Sequence, residues 1–154
     1  MSDEPVAEIV IDHPGWDAVS GVGARCLEAI REALALVDDA RPGPAVILLT
    51  SDATLHSLNQ RFRGKDRPTN VLSFPAPESE AYPGDVALAF ETCQGEAAAR
   101  GIALIDHAAH LAVHGVLHLN GFDHKEEADA EEMEALEVAA LARLGIASPY
   151  RENE

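Results

Sequence analysis

A histidine-rich helical segment is the feature that most restricts what this chain can fold into. Five of the seven histidines lie between His107 and His124. On a helix that advances about 100° per residue, the side chains of His107, His110, His114 and His118 fall within an arc of about 80°. A buried row of imidazoles without partners is energetically costly, whereas the same row is reasonable on a helix face that holds a metal ion.

The spacing of these histidines predicts a metal site. His110 with His114, and His114 with His118, are both i, i+4 pairs, which lets two rings converge on one ion. The residues that follow the helix favour the pair of His114 and His118, because Gly121 can turn the chain back past the helix end and bring His124 beside His118. We therefore predict a metal held by His114, His118 and His124.

Three protein ligands leave a fourth position open for water or substrate, which is typical of a catalytic site. Gly115 stands where HExxH peptidases carry a water-activating glutamate, and this counts against standard zinc peptidase chemistry. We expect the absent side chain of Gly115 to admit a substrate backbone. We expect His110 to support a ligand or to pack in the core, and His107 to be a surface or helix-packing residue.

The charge distribution is uneven along the chain. The chain has 11 basic and 27 acidic residues, and the formal net charge of −16 argues against wide contact with phosphates. Four of the basic residues nevertheless fall within seven positions, at Arg61, Arg63, Lys65 and Arg67. Arginine has a geometry suited to phosphate, so this basic cluster is the candidate for neutralising a phosphodiester. The seven acids between positions 126 and 137 are predicted to form a solvated helix face.

The hydrophobic pattern predicts a single α+β domain over residues 1–154, with about four strands in a mixed sheet packed with four to six helices. The order of the strands cannot be read from the sequence. The predicted strands are residues 6–11, 45–50, 69–74 and 85–90, and the predicted helices are 16–37, a helix capped by Asp52, a short helix from Thr92 to Gly101, 104–120 and 127–144.

Several classes of protein are disfavoured by composition. No apolar run reaches the roughly 18 residues of a membrane-spanning helix, and the acidic N-terminus lacks the pattern of a signal peptide. Cys26 and Cys93 form neither a disulfide framework nor a CxxC motif. We therefore expect a cytoplasmic protein without a membrane partner.

Three segments of the chain resemble a known family. Residues 58–75, LNQRFRGKDRPTNVLSFP, resemble the LNxxYRGKDxPTDVLSFP block of the YbeY endoribonucleases, which are bacterial rRNA maturation factors. Residues 84–86, GDV, resemble the GDI strand of that family, and residues 114–124, HGVLHLNGFDH, resemble its HGxLHLxGYDH signature. The blocks occur in the same order and spacing, so the resemblance covers roughly residues 5–145. Phe122 replaces a common tyrosine and Asn70 a common aspartate.

The resemblance implies a small α+β domain with one zinc ion per chain, held at the matching positions His114, His118 and His124. It also implies cleavage of single-stranded RNA, with roles in maturation of the 16S rRNA 3′ end and in ribosome quality control. The functional arginine of the family falls on Arg63, which we expect to contact the scissile phosphate. The implied partners are single-stranded RNA or rRNA, together with the ribosome or ribosomal proteins.

Two other functions fit the same residues. A metal hydrolase acting on another substrate, such as a zincin-like peptidase, is suggested by the helical histidine pair, but the glycine at position 115 weighs against it. A non-catalytic ribosome-associated factor with structural zinc is suggested by the acidic composition and small size. A closed shell of four metal ligands would favour that factor, whereas an open position in a cleft would oppose it.

Overall fold

The computed structural model describes residues 5–64, 69–123 and 125–150, and for Arg63 it describes the backbone alone. Within these ranges the chain forms four strands and six helices. In chain order they are β1 (Ala7–Ile11), α1 (Pro14–Asp17), α2 (Val22–Ala35), β2 (Ala45–Thr50), α3 (Asp52–Arg63), β3 (Val71–Pro75), β4 (Gly84–Ala89), α4 (Phe90–Arg100), α5 (Leu104–Leu119) and α6 (Glu127–Ala142).

The strands form one mixed sheet in the order β1-β2-β4-β3. The β1–β2 and β2–β4 pairs are parallel, and β3 is antiparallel to β4, with Val71 opposite Leu88. Parallel neighbours need crossover connections, which α2 and α3 supply. The predicted α+β class with a four-stranded mixed sheet is confirmed, and the structure adds the strand order.

The two faces of the sheet are covered differently. Ile47, Leu49, Val86 and Leu88 point to one face and pack with buried residues of α2 and α5. The alternating residues on the other face, which include Leu72 and Ala87, pack against α3 through Leu55.

Helix α5 lies at the centre of this arrangement. One side of it contacts the sheet, and its Ala109, Val113 and Leu117 pack with α2 and α6 in a second cluster. Because α5 is buried on nearly all sides, its position relative to the sheet is fixed by packing.

The N-terminal helical segment differs from the prediction. The pattern over residues 16–37 suggested one helix, but α1 ends at Asp17 and α2 begins at Val22. Gly21 interrupts the helix because its backbone is left-handed, with φ of 77°. Trp16 is fully buried in α1 and donates its indole N–H to the carbonyl oxygen of Thr50 at 3.0 Å. The helical spacing over residues 16–37 came from two separate helices whose apolar residues share one core.

The ends of α3 and α4 are held together by acidic side chains. Ser51, and not Asp52, caps α3 by accepting a hydrogen bond from the backbone N–H of Thr54. The carboxylate of Asp52 instead accepts from the backbone N–H of Thr92 at 2.9 Å and from its hydroxyl at 2.7 Å, inside the first turn of α4. The predicted caps at Asp52 and Thr92 were therefore wrong, since the two residues bond to each other across neighbouring helices.

No single helix within the described ranges is long and apolar enough to cross a membrane. Helices α4 and α5 pass the same test only when joined across a bend of 117°, and much of α5 is core.

Candidate metal centre

The last turns of α5 bring two of the predicted ligands side by side. Nε2 of His114 lies 3.2 Å from Nε2 of His118, and the ring centroids are 4.7 Å apart. The rings of His110 and His114 are further apart, at 6.4 Å. Of the two i, i+4 pairs that spacing alone left open, the structure therefore brings together the nitrogens of the second.

The distance between these two nitrogens suits a shared metal ion. Two imidazole nitrogens bound to one tetrahedral zinc at about 2.0–2.1 Å would lie about 3.3 Å from each other. The 3.2 Å separation of His114 and His118 is close to that value. Neutral imidazole nitrogen is also a preferred donor for zinc, so the pair fits such an ion in both chemistry and spacing.

The remaining predicted site residues lie outside what the structure describes. His124 is not among the described residues, and neither is the side chain of Arg63, whose backbone ends α3. Within the described ranges, no group of three histidine, cysteine, aspartate or glutamate side chains is arranged to hold a metal. Lys65 and Arg67 of the basic cluster also lie outside those ranges, whereas Arg61 is exposed and lies over the ring of Phe62 at 5.8 Å.

The histidine pair opens onto a groove. The groove has a volume of about 660 Å³, and its walls are strand β3 with the preceding Thr69 and Asn70, the side chains of His114 and His118, and the turn at residues 121–123. Gly121 in that turn is left-handed with φ of 91°, as the sequence predicted, and the N–H of Phe122 bonds the carbonyl of Leu117 to close the helix end. This turn allows the chain to leave α5 beside the two imidazoles.

A buried carboxylate supports His114 from behind. Oε2 of Glu137 lies 2.9 Å from Nδ1 of His114, and Oε1 lies 2.7 Å from Nε2 of His110 and accepts a bond from the hydroxyl of Tyr150. Burial raises the pKa of Glu137, but hydrogen bonds from His110, His114 and Tyr150 outweigh it and bring the pKa down to about 2. Glu137 is thus an anion at neutral pH, bonded on both oxygens.

The sequence interpretation missed Glu137. We expected the acids between positions 126 and 137 to be solvated, yet the Glu137 side chain is 0% exposed. Its position was the available signal, because residue 137 is one helical turn from each of Met133 and Leu141, which are both buried in the core. An acid in phase with core residues of a helix needs partners, and here they are two histidines and a tyrosine.

Gly115 has a packing role that differs from the expected one. A Cβ atom at this position would lie 2.5 Å from Cγ1 of Val86 and 3.1 Å from the Ser73 hydroxyl oxygen. The hydroxyl of Ser73 donates to the carbonyl oxygen of Gly115 at 3.2 Å. The missing side chain therefore admits the sheet, and not a substrate backbone, and it sets how closely α5 approaches β4 and β3.

A second polar network lies beside the groove. Nδ2 of Asn70 donates to Oε1 of Glu96 at 3.0 Å, and Nε2 of His107 lies 2.8 Å from the same oxygen. His107 is only 3% exposed, and burial lowers its pKa more than the bond to Glu96 raises it. His107 is consequently a helix-packing residue, which is one of its two predicted roles. Asn70, at the position where the family block commonly has aspartate, places a hydrogen-bond donor against the Glu96 carboxylate.

The cysteines do not supply a nucleophile. Both are free and buried, and burial raises the pKa of Cys26 to about 12 and also raises that of Cys93. Both thiols remain protonated at neutral pH, so they lack the reactive thiolate form.

The mixed sheet, with a histidine pair on its central helix facing an open groove, defines an α+β domain with a site suited to a metal. A protein from Thermotoga maritima, known from its solution structure, has the same fold, with a TM-score of 0.53 and 22% identity over 94% of this chain and 100% of that one. Residues 19–145 match the family model described as Endoribonuclease YbeY. The chain belongs to this family of endoribonucleases, as the sequence resemblance predicted.

Relatives from several bacteria share most of the chain. A protein named endoribonuclease YbeY from Erythrobacter litoralis is 50% identical, covering 93% of this chain and 96% of the relative. The protein of the same name from Rhodopseudomonas palustris is 46% identical, covering 97% and 83% respectively. The prediction of an enzyme that hydrolyses RNA internally is confirmed by this membership.

Proposed function

We propose that this endoribonuclease cleaves single-stranded RNA with one zinc ion held by His114, His118 and His124, and that Arg63 contacts the scissile phosphate. The observation that carries the proposal is the 3.2 Å approach of the Nε2 atoms of His114 and His118 on the wall of an open groove. The third ligand and the arginine are assigned from the HGVLHLNGFDH and RFRGKDRP segments of the family blocks.

The roles of the residues follow from charge. A zinc ion bound here would supply Lewis acidity, lowering the pKa of a water or polarising a phosphate oxygen. The guanidinium of Arg63 would neutralise the charge that develops on the phosphate during cleavage. Arg61, Lys65 and Arg67 would guide the RNA to the groove, which offsets locally the repulsion from a chain of net charge −16.

The cellular role that fits this chemistry is rRNA processing. We propose that the substrate is the 3′ end of 16S rRNA and that the enzyme also takes part in ribosome quality control, in the cytoplasm and with the ribosome or ribosomal proteins as partners. The support is the family resemblance over residues 58–75 and 114–124. Docking on a ribosomal partner would also help an acidic enzyme to reach a polyanionic substrate.

The test is cleavage by the purified protein of matched single-stranded and duplex RNAs, before and after treatment with a chelator. We expect cleavage of the single strand, its loss on chelation and its recovery with added zinc. His114→Ala and His118→Ala should abolish activity, and Arg63→Ala should reduce kcat by about 10²–10³-fold, the usual cost of removing one charge-stabilising group.

Arg31→Ala, which removes an exposed basic residue of α2, is the matched control and should leave cleavage unchanged. Circular dichroism must show equal folding of all variants. Undiminished cleavage by both His114→Ala and Arg63→Ala would contradict the proposal. Turnover of peptides without turnover of RNA would favour the peptidase alternative, and a zinc-loaded protein with four protein ligands would favour the structural-zinc alternative.

A further inference from the structure

We propose that Glu137 is a positioning residue for the metal site: its buried carboxylate fixes His114 as the Nδ1–H tautomer and thereby presents the Nε2 lone pair of His114 beside Nε2 of His118. This inference rests on the proposed function, since it assigns a role to a residue behind a proposed ligand. It concerns a residue that lies outside both family blocks in which the site residues were found.

The burial of Glu137 is the first observation that requires explanation. Its side chain is 0% exposed, and no other carboxylate in the described ranges is buried to this degree. It lies among the apolar residues Met133, Ala140 and Leu141 of α6. A buried charge is strongly unfavourable unless its oxygens are hydrogen-bonded, so an acid at this position stabilises the protein only through its particular partners.

The hydrogen bonds around Glu137 determine where the protons are. A carboxylate can only accept, so each partner must donate the proton of the bond. His114 therefore carries its proton on Nδ1, which faces Oε2 at 2.9 Å, and His110 carries a proton on Nε2, which faces Oε1 at 2.7 Å. The hydroxyl of Tyr150 donates to the same Oε1.

In their neutral forms the two histidines are thereby held in opposite tautomers. His110 keeps its remaining lone pair on Nδ1, which is buried with no hydrogen-bond partner among the described residues. His114 keeps its lone pair on Nε2, the atom that lies 3.2 Å from Nε2 of His118. The same carboxylate thus makes His110 unsuited to the metal and orients His114 toward it, which explains why the structure pairs positions 114 and 118.

A carboxylate that accepts a hydrogen bond from a ligating imidazole also makes the ligand more basic. Such outer partners usually contribute 10–100-fold to metal affinity. Tyr150 and His110 contribute indirectly, because they hold the Glu137 carboxylate in place. The chain of contacts runs from α6 through Glu137 to α5, and it ends at the groove.

The test measures the zinc affinity of the protein of residues 1–154, by competition with a chromophoric chelator. We expect Glu137→Gln to weaken zinc binding 10–100-fold, because an amide cannot accept hydrogen bonds from all three donors. Glu131→Gln, an exposed change on the same helix, is the matched control and should bind like the wild type. Wild-type affinity in a folded Glu137→Gln variant would overturn the inference.

A second measurement needs no variant of Glu137. Nitrogen-15 NMR of the metal-free wild type reports histidine tautomers directly, with His114→Ala and His110→Ala spectra to assign the signals. We expect Nδ1–H for His114 and Nε2–H for His110, and an Nε2–H tautomer at His114 would overturn the inference. If the wild type binds no zinc, the proposed function fails, whereas the tautomer measurement still decides the role of Glu137.

Discussion

Gly115 and Val86 are packed so closely that the glycine cannot carry a side chain. A Cβ atom at position 115 would lie 2.5 Å from Cγ1 and 2.9 Å from Cγ2 of Val86, inside the distance that carbon atoms allow. Val86 is fully buried in the central part of the sheet and cannot move aside freely. Since His114 directly precedes this contact, the separation of helix and sheet also sets the position of a proposed ligand.

We expect Gly115→Ala to destabilise the protein by about 1–3 kcal/mol, the usual cost of overpacking a core. The helix must shift away from β4, so zinc affinity should fall together with stability. Urea unfolding and zinc competition check the two effects.

Gly95→Ala is the control for Gly115→Ala. Gly95 is an exposed residue of α4, and apart from its own helix turn no atom of the described residues lies within 4 Å of a Cβ at its position. The alanine should therefore stabilise the protein by about 0.5–1 kcal/mol through its helix propensity. Equal effects of the two substitutions would show that the Val86 contact is unimportant.

We expect Asn70→Asp to destabilise the protein by about 1–3 kcal/mol at pH 8, although aspartate is the residue that the family block commonly carries. The substitution replaces the donor 3.0 Å from Oε1 of Glu96 by a second carboxylate. Adding Glu96→Gln to Asn70→Asp should restore most of the loss, because it removes the repulsion and supplies a donor. Thermal unfolding of the two variants measures this, and no recovery in the double variant would contradict the explanation.

His107 should make the protein less stable in mildly acidic solution. Its pKa in the folded protein is lowered, chiefly by burial, so the unfolded chain takes up a proton first as the pH falls. The stability conferred by keeping His107 neutral is fully present above the unfolded pKa of about 6.5 and is lost as the pH falls toward the folded pKa. Urea unfolding at pH 7.5 and 5.5 should show a smaller difference for His107→Gln than for the wild type.

A parallel His56→Gln substitution in α3 controls for the removal of a histidine elsewhere in the chain. The same pH dependence in the wild type and in His107→Gln would rule out His107 as its source.

Asp52→Ala should cost about 1–2 kcal/mol, the usual loss when a side chain that bonds the first turn of a helix is removed. The Asp52 carboxylate accepts both the backbone N–H and the hydroxyl of Thr92, so its removal frees the start of α4. Asp52→Asn should lose less, because its carbonyl oxygen can still accept one of these bonds. Chemical denaturation ranks the free energies of unfolding of the variants. An equal loss for alanine and asparagine would show that the bonds from Thr92 to the Asp52 side chain do not stabilise the start of α4.

The parts of the fold that the sequence predicted are those set by local pattern. Strand β2 was predicted with its observed bounds, because an apolar run between turn residues leaves few alternatives, and the left-handed turn at Gly121 followed from its place after a helix. The break at Gly21 was missed because the buried Trp16 continued the helical spacing across two separate helices.

The candidate site was only partly predictable for a similar reason. Helix geometry, which is local, predicted that two histidines would pair but left two i, i+4 pairs open. The turn at Gly121 favoured His114 with His118, which is the pair that the structure brings together. The contact between Glu137 and His114 joins residues that are 23 positions apart in sequence, and it depends on how α6 packs against α5. Contacts of this kind are set by tertiary packing, so the helical phase of Glu137 with Met133 and Leu141 could indicate its burial but not its partners.

The tail of the described chain has a practical consequence for anyone who prepares this enzyme. Arg100 holds the carbonyl oxygen of Pro149 at 2.9 Å, and the next residue, Tyr150, reaches the Glu137 carboxylate. A truncation that removes Tyr150 would therefore take away a hydrogen-bond donor to the carboxylate that bonds His114. A protein shortened before Tyr150 should not serve as the reference for metal content.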